Sequence, residues 1–212
     1  MAANSGILRT FRHVGLFAAR SGSYAVEMPS LKRDWTVADV HALPDDGKRY
    51  EVIDGELFVT PAASLRHQDA AARLYLILAE YLKRERVGHP FIAPADVVFS
   101  NKRGVQPDVF VTPLAGCRRP EHFDDVRRLL LAAEILSPST ARADRVAKRT
   151  LYRSEGVPAY WIVDLEARAV ERSTPDESRP EILVEQLDWF PDGASEPLLV
   201  DLPAYFRAVL DE

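Results

Sequence analysis

The stretch RLLLAAEILSPS, from Arg128 to Ser139, is almost uninterruptedly apolar yet too short to cross a membrane. Closed by a Ser-Pro turn, it reads as a central strand covered on both faces, which commits the chain to a sheet with packing layers above and below. One acid, Glu134, sits inside this run. A carboxylate buried there without a partner costs several kcal/mol. The strand therefore needs a metal ion or a cationic side chain beside Glu134, unless that residue lies at a strand edge open to solvent or to an arginine.

The remaining elements build around this strand. WTVADVHALP reads as a short helix capped by Asp34 and stopped at Pro44. In RYEVIDGELFVT the Asp54-Gly55 pair predicts a tight β-hairpin. From Ser64 to Arg86, Leu65, Ala72, Leu76, Ala79 and Leu82 suggest the apolar face of one long helix, ended by Gly88. FIAPADVVFS and VQPDVFVTP are predicted as two strands joined by the turn NKRG. A helix capped at Ser139-Thr140 should run to about Glu155, where Gly156 and Pro158 stop it. AYWIVDL reads as a second buried strand, ARAVERS and EILVEQL as exposed antiparallel strands, and Ala204 to Leu210 as a last short helix. The sum is an α/β domain: a mixed β-sheet core flanked by helices, with an N-terminal β-hairpin and a long helix.

Composition narrows the class of protein. The 212 residues suffice for one good core, and a single cysteine, Cys117, excludes an intramolecular disulfide and a zinc site of paired cysteines. With no membrane-length apolar run, a soluble protein of the reducing cytoplasm is expected. Residues 1–27 carry Arg9, Arg12 and Arg20 with no acid before Glu27, and read as a disordered extension before a single domain spanning 28–212. The net charge is −5, but it is unevenly spread. Residues 155–212 hold 14 acids and 4 Lys/Arg, a net of −10, which leaves 18 acids against 23 bases, or +5, for the rest.

Two acids stand in otherwise apolar strands, Asp108 and Glu134. Neighbouring strands could present both to one hard cation, with the carbonyl of Ile135 as a further oxygen ligand. The helix after Glu134 carries Arg142, Arg145, Lys148, Arg149 and Arg153 against the single acid Asp144, a local net of +4. On that helix Asp144, Lys148 and Tyr152 share a face, from which Lys148 could reach over the carboxylates with Asp144 or Tyr152 positioning it. The four arginines read either as a solvated face or as contacts to DNA phosphates. His67 reads either as a packing residue on the long helix or as an accessory group of the site.

The strings RYEVIDGEL, His67-Gln68, QPDVFV and EILSPSTARADRVAKRTLYRSEGVPAYWIVD together resemble the Uma-two family of restriction endonucleases, within the PD-(D/E)XK nuclease superfamily. The resemblance runs from about Trp35 to Leu165. It implies a restriction-endonuclease-like fold in which Asp108 and Glu134 are the motif acids and Glu51 is a third carboxylate near the metal. The superfamily lysine belongs two residues after the second acid, where this chain has Leu136, and the family pattern moves that role to Lys148. The implied activity is hydrolysis of phosphodiester bonds in DNA by metal-activated water, with Mg2+ or Mn2+ as cofactor and no membrane partner. A homodimer is the assembly to look for in an enzyme that cuts both strands. Two other readings stand beside it. One is a catalytically inactive nuclease fold kept as a DNA-binding or protein-interaction module, which the net negative charge favours. The other is a glycosidase-like carboxylate pair, which has no use for the basic helix. On the nuclease reading, Asp108 and Glu134 should converge on one face, the four arginines should border the cleft, and Lys148→Ala should abolish cleavage with the fold intact.

Overall fold

The central strand forms where its apolar run requires. In the computed structural model, which describes residues 34–116, 118–122, 125–126 and 128–211, β7 spans Leu131–Ile135 and is buried at every position. The expected extension, residues 1–27, lies outside the described residues. On one side β7 pairs antiparallel with β6 (Val109–Pro113), and on the other it pairs parallel with β8 (Tyr160–Asp164). Antiparallel β3 (Gly88–Ile92), β9 (Ala169–Ser173) and β10 (Glu181–Leu183) complete a six-stranded mixed sheet in the order β10-β9-β8-β7-β6-β3.

A second sheet supplies the early acid. β1 (Arg49–Ile53) and β2 (Glu56–Thr60) form the hairpin on Asp54 and Gly55, both at positive φ, 52° and 83°. That pair of left-handed residues is what a two-residue turn matching the strand twist needs. β1 also pairs with β5 (Arg103–Val105) and β5 with β4 (Val97–Ser100), giving the order β2-β1-β5-β4. The two strands predicted across this region are thus four. FIAPADVVFS breaks around Pro94, and VQPDVFVTP breaks at Gln106-Pro107-Asp108, so that each segment crosses from one sheet to the other. Proline offers no N–H to a ladder, and both breaks fall at one. Asp108 therefore stands at a strand junction, not within a strand.

Other boundaries shift for identifiable reasons. Helix α1 (Val37–His41) is capped by Thr36 in a reciprocal box with Asp39, not by Asp34. The long helix α2 (Leu65–Glu85) is capped by Ser64 and ends on Arg86 in the left-handed conformation. Gly88, predicted as its stop, instead opens β3, where an added Cβ would lie 2.8 Å from the carbonyl of Thr112. The buried face of α2 is Ala70, Ala71, Leu74, Leu78, Tyr81 and Leu82, so of the residues predicted for that face only Leu82 is buried, and Leu65 and Leu76 face solvent. Both sets have helical spacing, and packing against β3, β6 and β7 selects the face that is buried. β9 is largely buried, not exposed as expected. EILVEQL divides between β10 and β11 (Gln186–Trp189), which pairs with β12 (Leu198–Asp201) ahead of helix α4 (Leu202–Leu210).

Both faces of the six-stranded sheet are covered, as β7 demanded. On one face Leu131, Ala133 and Ile135 pack with Leu74, Leu78 and Tyr81 of α2, Phe206 of α4 and Trp189 of β11. On the other, Ala132 and Ile162 pack with Ile53, Val97 and Val105 of the smaller sheet and with Leu151 and Tyr152. Those last two belong to α3 (Arg149–Ser154), which continues directly from a π-helical stretch, Ala143–Lys148, where one unbroken α-helix was predicted.

Leu78→Ala should lower the unfolding free energy by about 2–5 kcal/mol in urea titrations, because a fully buried leucine leaves a cavity. Leu76→Ala, two residues away and 63% exposed, should change it by less than about 0.5 kcal/mol.

Candidate active site

Strand register sets the two acids side by side. Val109 pairs with Ala133, so one step back Asp108 stands opposite Glu134, and both alternate with residues of the same sheet face, Phe110 and Ala132. Asp108 and Glu134 line a cavity of about 280 Å³ together with Arg49, His67, Ile135, Asp144 and Lys148. The expectation that the acids share one face is met by the geometry.

Each acid is held by backbone or side-chain donors released where regular pairing stops. Asp108 accepts the N–H of Ile135 on Oδ2 at 2.8 Å, and the same oxygen lies 3.0 Å from Nε2 of His67 on the first turn of α2. Its Oδ1 accepts from Nη1 of Arg49 at 2.8 Å. Burial pushes the Asp108 carboxyl up, but His67, Arg49 and the Ile135 N–H together outweigh it and hold the group down at about 2. Glu51, buried on β1, accepts the N–H of Gln106 at 2.7 Å, just past the end of β5.

Lys148 is the junction of the site. Its Nζ lies 2.9 Å from Glu134 Oε1, 3.0 Å from Glu51 Oε2 and 3.6 Å from Asp144 Oδ1, with its side chain only 3% exposed. The π-helical stretch explains the approach of Asp144. A turn closed by i→i+5 bonds holds more residues than an α-turn, so residues four apart stand almost one above the other. Tyr152, two turns on, donates to Glu134 Oε1 at 3.3 Å, and Tyr160 on β8 donates to the carbonyl of Asp144 at 3.0 Å.

Charge inside this shell is unbalanced. Burial pushes Glu134 well above the usual carboxylate range, with Lys148 pulling it down and Asp108, Asp144 and Glu51 adding to the rise. Burial raises Asp144 in the same way. For Lys148 burial works against the ammonium, and the three carboxylates around it overcome that cost and hold the proton more tightly than in water. Four carboxylates thus face two permanent cations, Lys148 and Arg49.

The oxygen donors fit a hard divalent ion, since magnesium uses one or two protein carboxylates together with water and phosphate. As arranged, Asp108 is saturated by Arg49, His67 and Ile135, and no group of three or more His, Cys, Asp or Glu among the described residues is set to hold a metal. A two-carboxylate site of the magnesium type needs no such group.

None of the four arginines predicted to border the cleft is among the residues lining its cavity. Arg145 is tied to Asp164 and Glu171, Arg149 and Arg153 line a different cavity with Arg179, and Arg142 is exposed outside the cleft lining. The basic side chains at the cleft are instead Arg49 and Arg66. Arg49 was missed in the sequence, although it stands two residues before Glu51 on one strand and so shares its face.

A mixed sheet with Glu134 on its central strand, Asp108 at the entry to the adjacent strand and a buried lysine from the following helix defines a restriction-endonuclease-like fold. Residues 37–201 match the family Uma2, described as "Putative restriction endonuclease", and the chain belongs to that family. Among solved structures it is similar to "a putative nuclease belonging to DUF820 from Anabaena variabilis ATCC 29413", with a TM-score of 0.68 at 18% identity, covering 82% of this chain and 98% of that one. That likeness establishes the fold. No curated protein matches the chain. Among the described residues no helix is long and apolar enough to cross a membrane.

The burial of Lys148 revises what its removal should do. Lys148→Ala leaves three buried carboxylates without their cation and should lower stability by about 3–5 kcal/mol in urea at neutral pH. An unchanged midpoint would mean that the carboxylates are not ionised together around it.

Proposed function

We propose that the protein is a metal-dependent nuclease that hydrolyses phosphodiester bonds in DNA, with Lys148 in the role of the lysine that Leu136 replaces. One observation carries this reading: Lys148, arriving from the helix, meets Glu134 at 2.9 Å in the cavity that also receives Asp108 from the adjacent strand. Asp108 and Glu134 would hold Mg2+ or Mn2+, with the carbonyl of Ile135 as a third oxygen. A cation bound there supplies an activated water and offsets charge on the phosphate. A divalent cation there would also stabilise Glu134 and Asp144 in their charged forms, against the burial that pushes both toward the neutral acid.

The chain's own groups divide the remaining work. Lys148 donates to a phosphate oxygen or orients the attacking water, where a fixed cation is worth more than in bulk solvent. Glu51 and Asp144 keep it protonated and aimed. Tyr152 holds Glu134 in its rotamer through the bond to Oε1. His67, beside Asp108, is the accessory group at the cleft wall. Arg149 and Arg153 line a different cavity and have no part in this scheme.

The saturation of Asp108 favours one second reading, a nuclease fold that binds DNA without turnover. Purified protein incubated with supercoiled, linear and single-stranded DNA, with Mg2+, with Mn2+ and with a chelator, separates the two. Hydrolysis is expected with metal only. Asp108→Asn and Lys148→Ala, each checked for a native circular dichroism spectrum, should lose about 10²–10⁴-fold in rate. Metal-independent DNA binding with no cleavage under any condition would assign the protein to the binding module. Sedimentation should detect a homodimer if both strands are cut in one encounter.

A further inference from the structure

The cleft does not end at Asp108. A second cavity of about 620 Å³ lies beyond it, lined by Lys48, Gln68, Ile92, Pro94 and Gln106. Arg49, His67, Asp108 and the Pro61-Ala62-Ala63 segment line both cavities, so they form the partition between them. A chain molecule threaded along this groove must pass directly over Arg49.

Arg49 is built for more than neutralising Asp108. Its Nη1 makes both of its bonds, to Asp108 Oδ1 at 2.8 Å and to the carbonyl of Gln106 at 3.1 Å. These two acceptors use both hydrogens of that nitrogen. Nε and Nη2 have no partner among the described residues, and neither is among the buried polar atoms left unsatisfied, so this edge of the guanidinium opens to the groove. The side chain is 21% exposed, which agrees with one edge anchored and the other accessible. The Nε–Nη2 edge presents two parallel N–H donors at the spacing of two oxygens on one phosphate.

We propose that Arg49 binds a phosphate of the substrate backbone through its Nε–Nη2 edge while Nη1 stays on Asp108, so that one side chain fixes the phosphate relative to the catalytic carboxylate. The proposal rests on the nuclease reading and names the group that grips its substrate. Arg49 and Arg66 are the arginines that line the cleft, whereas Arg149 and Arg153 line a different cavity. The anchored guanidinium loses little freedom when the phosphate arrives.

The test compares wild type, Arg49→Lys and Arg49→Ala, each with a confirmed native melting transition. Affinity for a short labelled duplex is measured in chelator across a salt series, Mn2+ affinity is measured without DNA, and cleavage is measured in Mn2+. Arg49→Ala should weaken DNA binding about tenfold or more, as loss of a charge-assisted contact does. It should also flatten the slope of log affinity against log salt by about one. Arg49→Lys should keep that slope and its Mn2+ affinity, yet bind and cleave DNA less well, because an ammonium offers no two-pronged edge. Wild-type DNA affinity and salt slope in both variants would overturn the proposal while leaving cleavage by the parent, and so the nuclease reading, intact. Loss of Mn2+ affinity in Arg49→Lys with DNA affinity unchanged would also overturn it, making Arg49 only a prop for Asp108. Failure of the parent itself to bind DNA at low salt would remove the nuclease reading and the proposal together.

Discussion

The ammonium of Lys148, shared among Glu134, Glu51 and Asp144, is the interaction on which the site depends. Its three partners come from three different parts of the fold: the six-stranded sheet, the smaller sheet and the π-helical stretch. None of the three carboxylates could be buried as an anion without it, and a buried lysine would itself be untenable without them. The cluster therefore acts as a clamp between layers as well as a set of chemical groups. Removing Lys148 leaves all three carboxylates without compensation.

The clamp lies beside the place where Asp108 enters the cleft. Asp108 is held by Arg49 and His67, both partly exposed on the cleft wall, whereas Glu134 is held by the buried Lys148. The two motif acids thus differ in how readily they can exchange a protein cation for another ligand. Asp108 faces the groove and its partners are partly exposed, and Glu134 is anchored from behind. A π-helical turn at this point has a direct structural effect, because it stacks Asp144 against Lys148, and the carbonyl of Asp144 accepts both the N–H of Arg149 and the hydroxyl of Tyr160.

Strong local signals in the sequence translated into structure with little change. Asp54-Gly55 made the hairpin, Ser64 capped the long helix, and the Leu131–Ile135 run became an interior strand. Weaker ones did not. The two prolines divided two predicted strands into four, since a missing N–H is a local fact but the sheet that the chain joins afterwards is not. The buried face of α2 was misread because alanines and leucines on several sides of the helix compete for the core, and contact with β6 and β7 decides among them. The arginines after Glu134 looked like a phosphate-binding face in linear order, yet Asp164 and Glu171 on β8 and β9 claim Arg145, and Arg149 and Arg153 line another cavity.

The sequence by itself determined the α/β class, the hairpin, the central strand and Asp108 and Glu134 as candidate acids, because each follows from periodicity, turn chemistry or an ion set among apolar neighbours. Glu51 and the role of Lys148 came from the family resemblance. Only the tertiary structure decided that Asp108 faces Glu134, that Lys148 is buried among three carboxylates, and that Arg49 forms the wall between two cavities. Those facts depend on strand register, on the crossing between sheets and on a π-helical turn. All are settled by packing between segments far apart in the chain, where no local pattern can record the outcome.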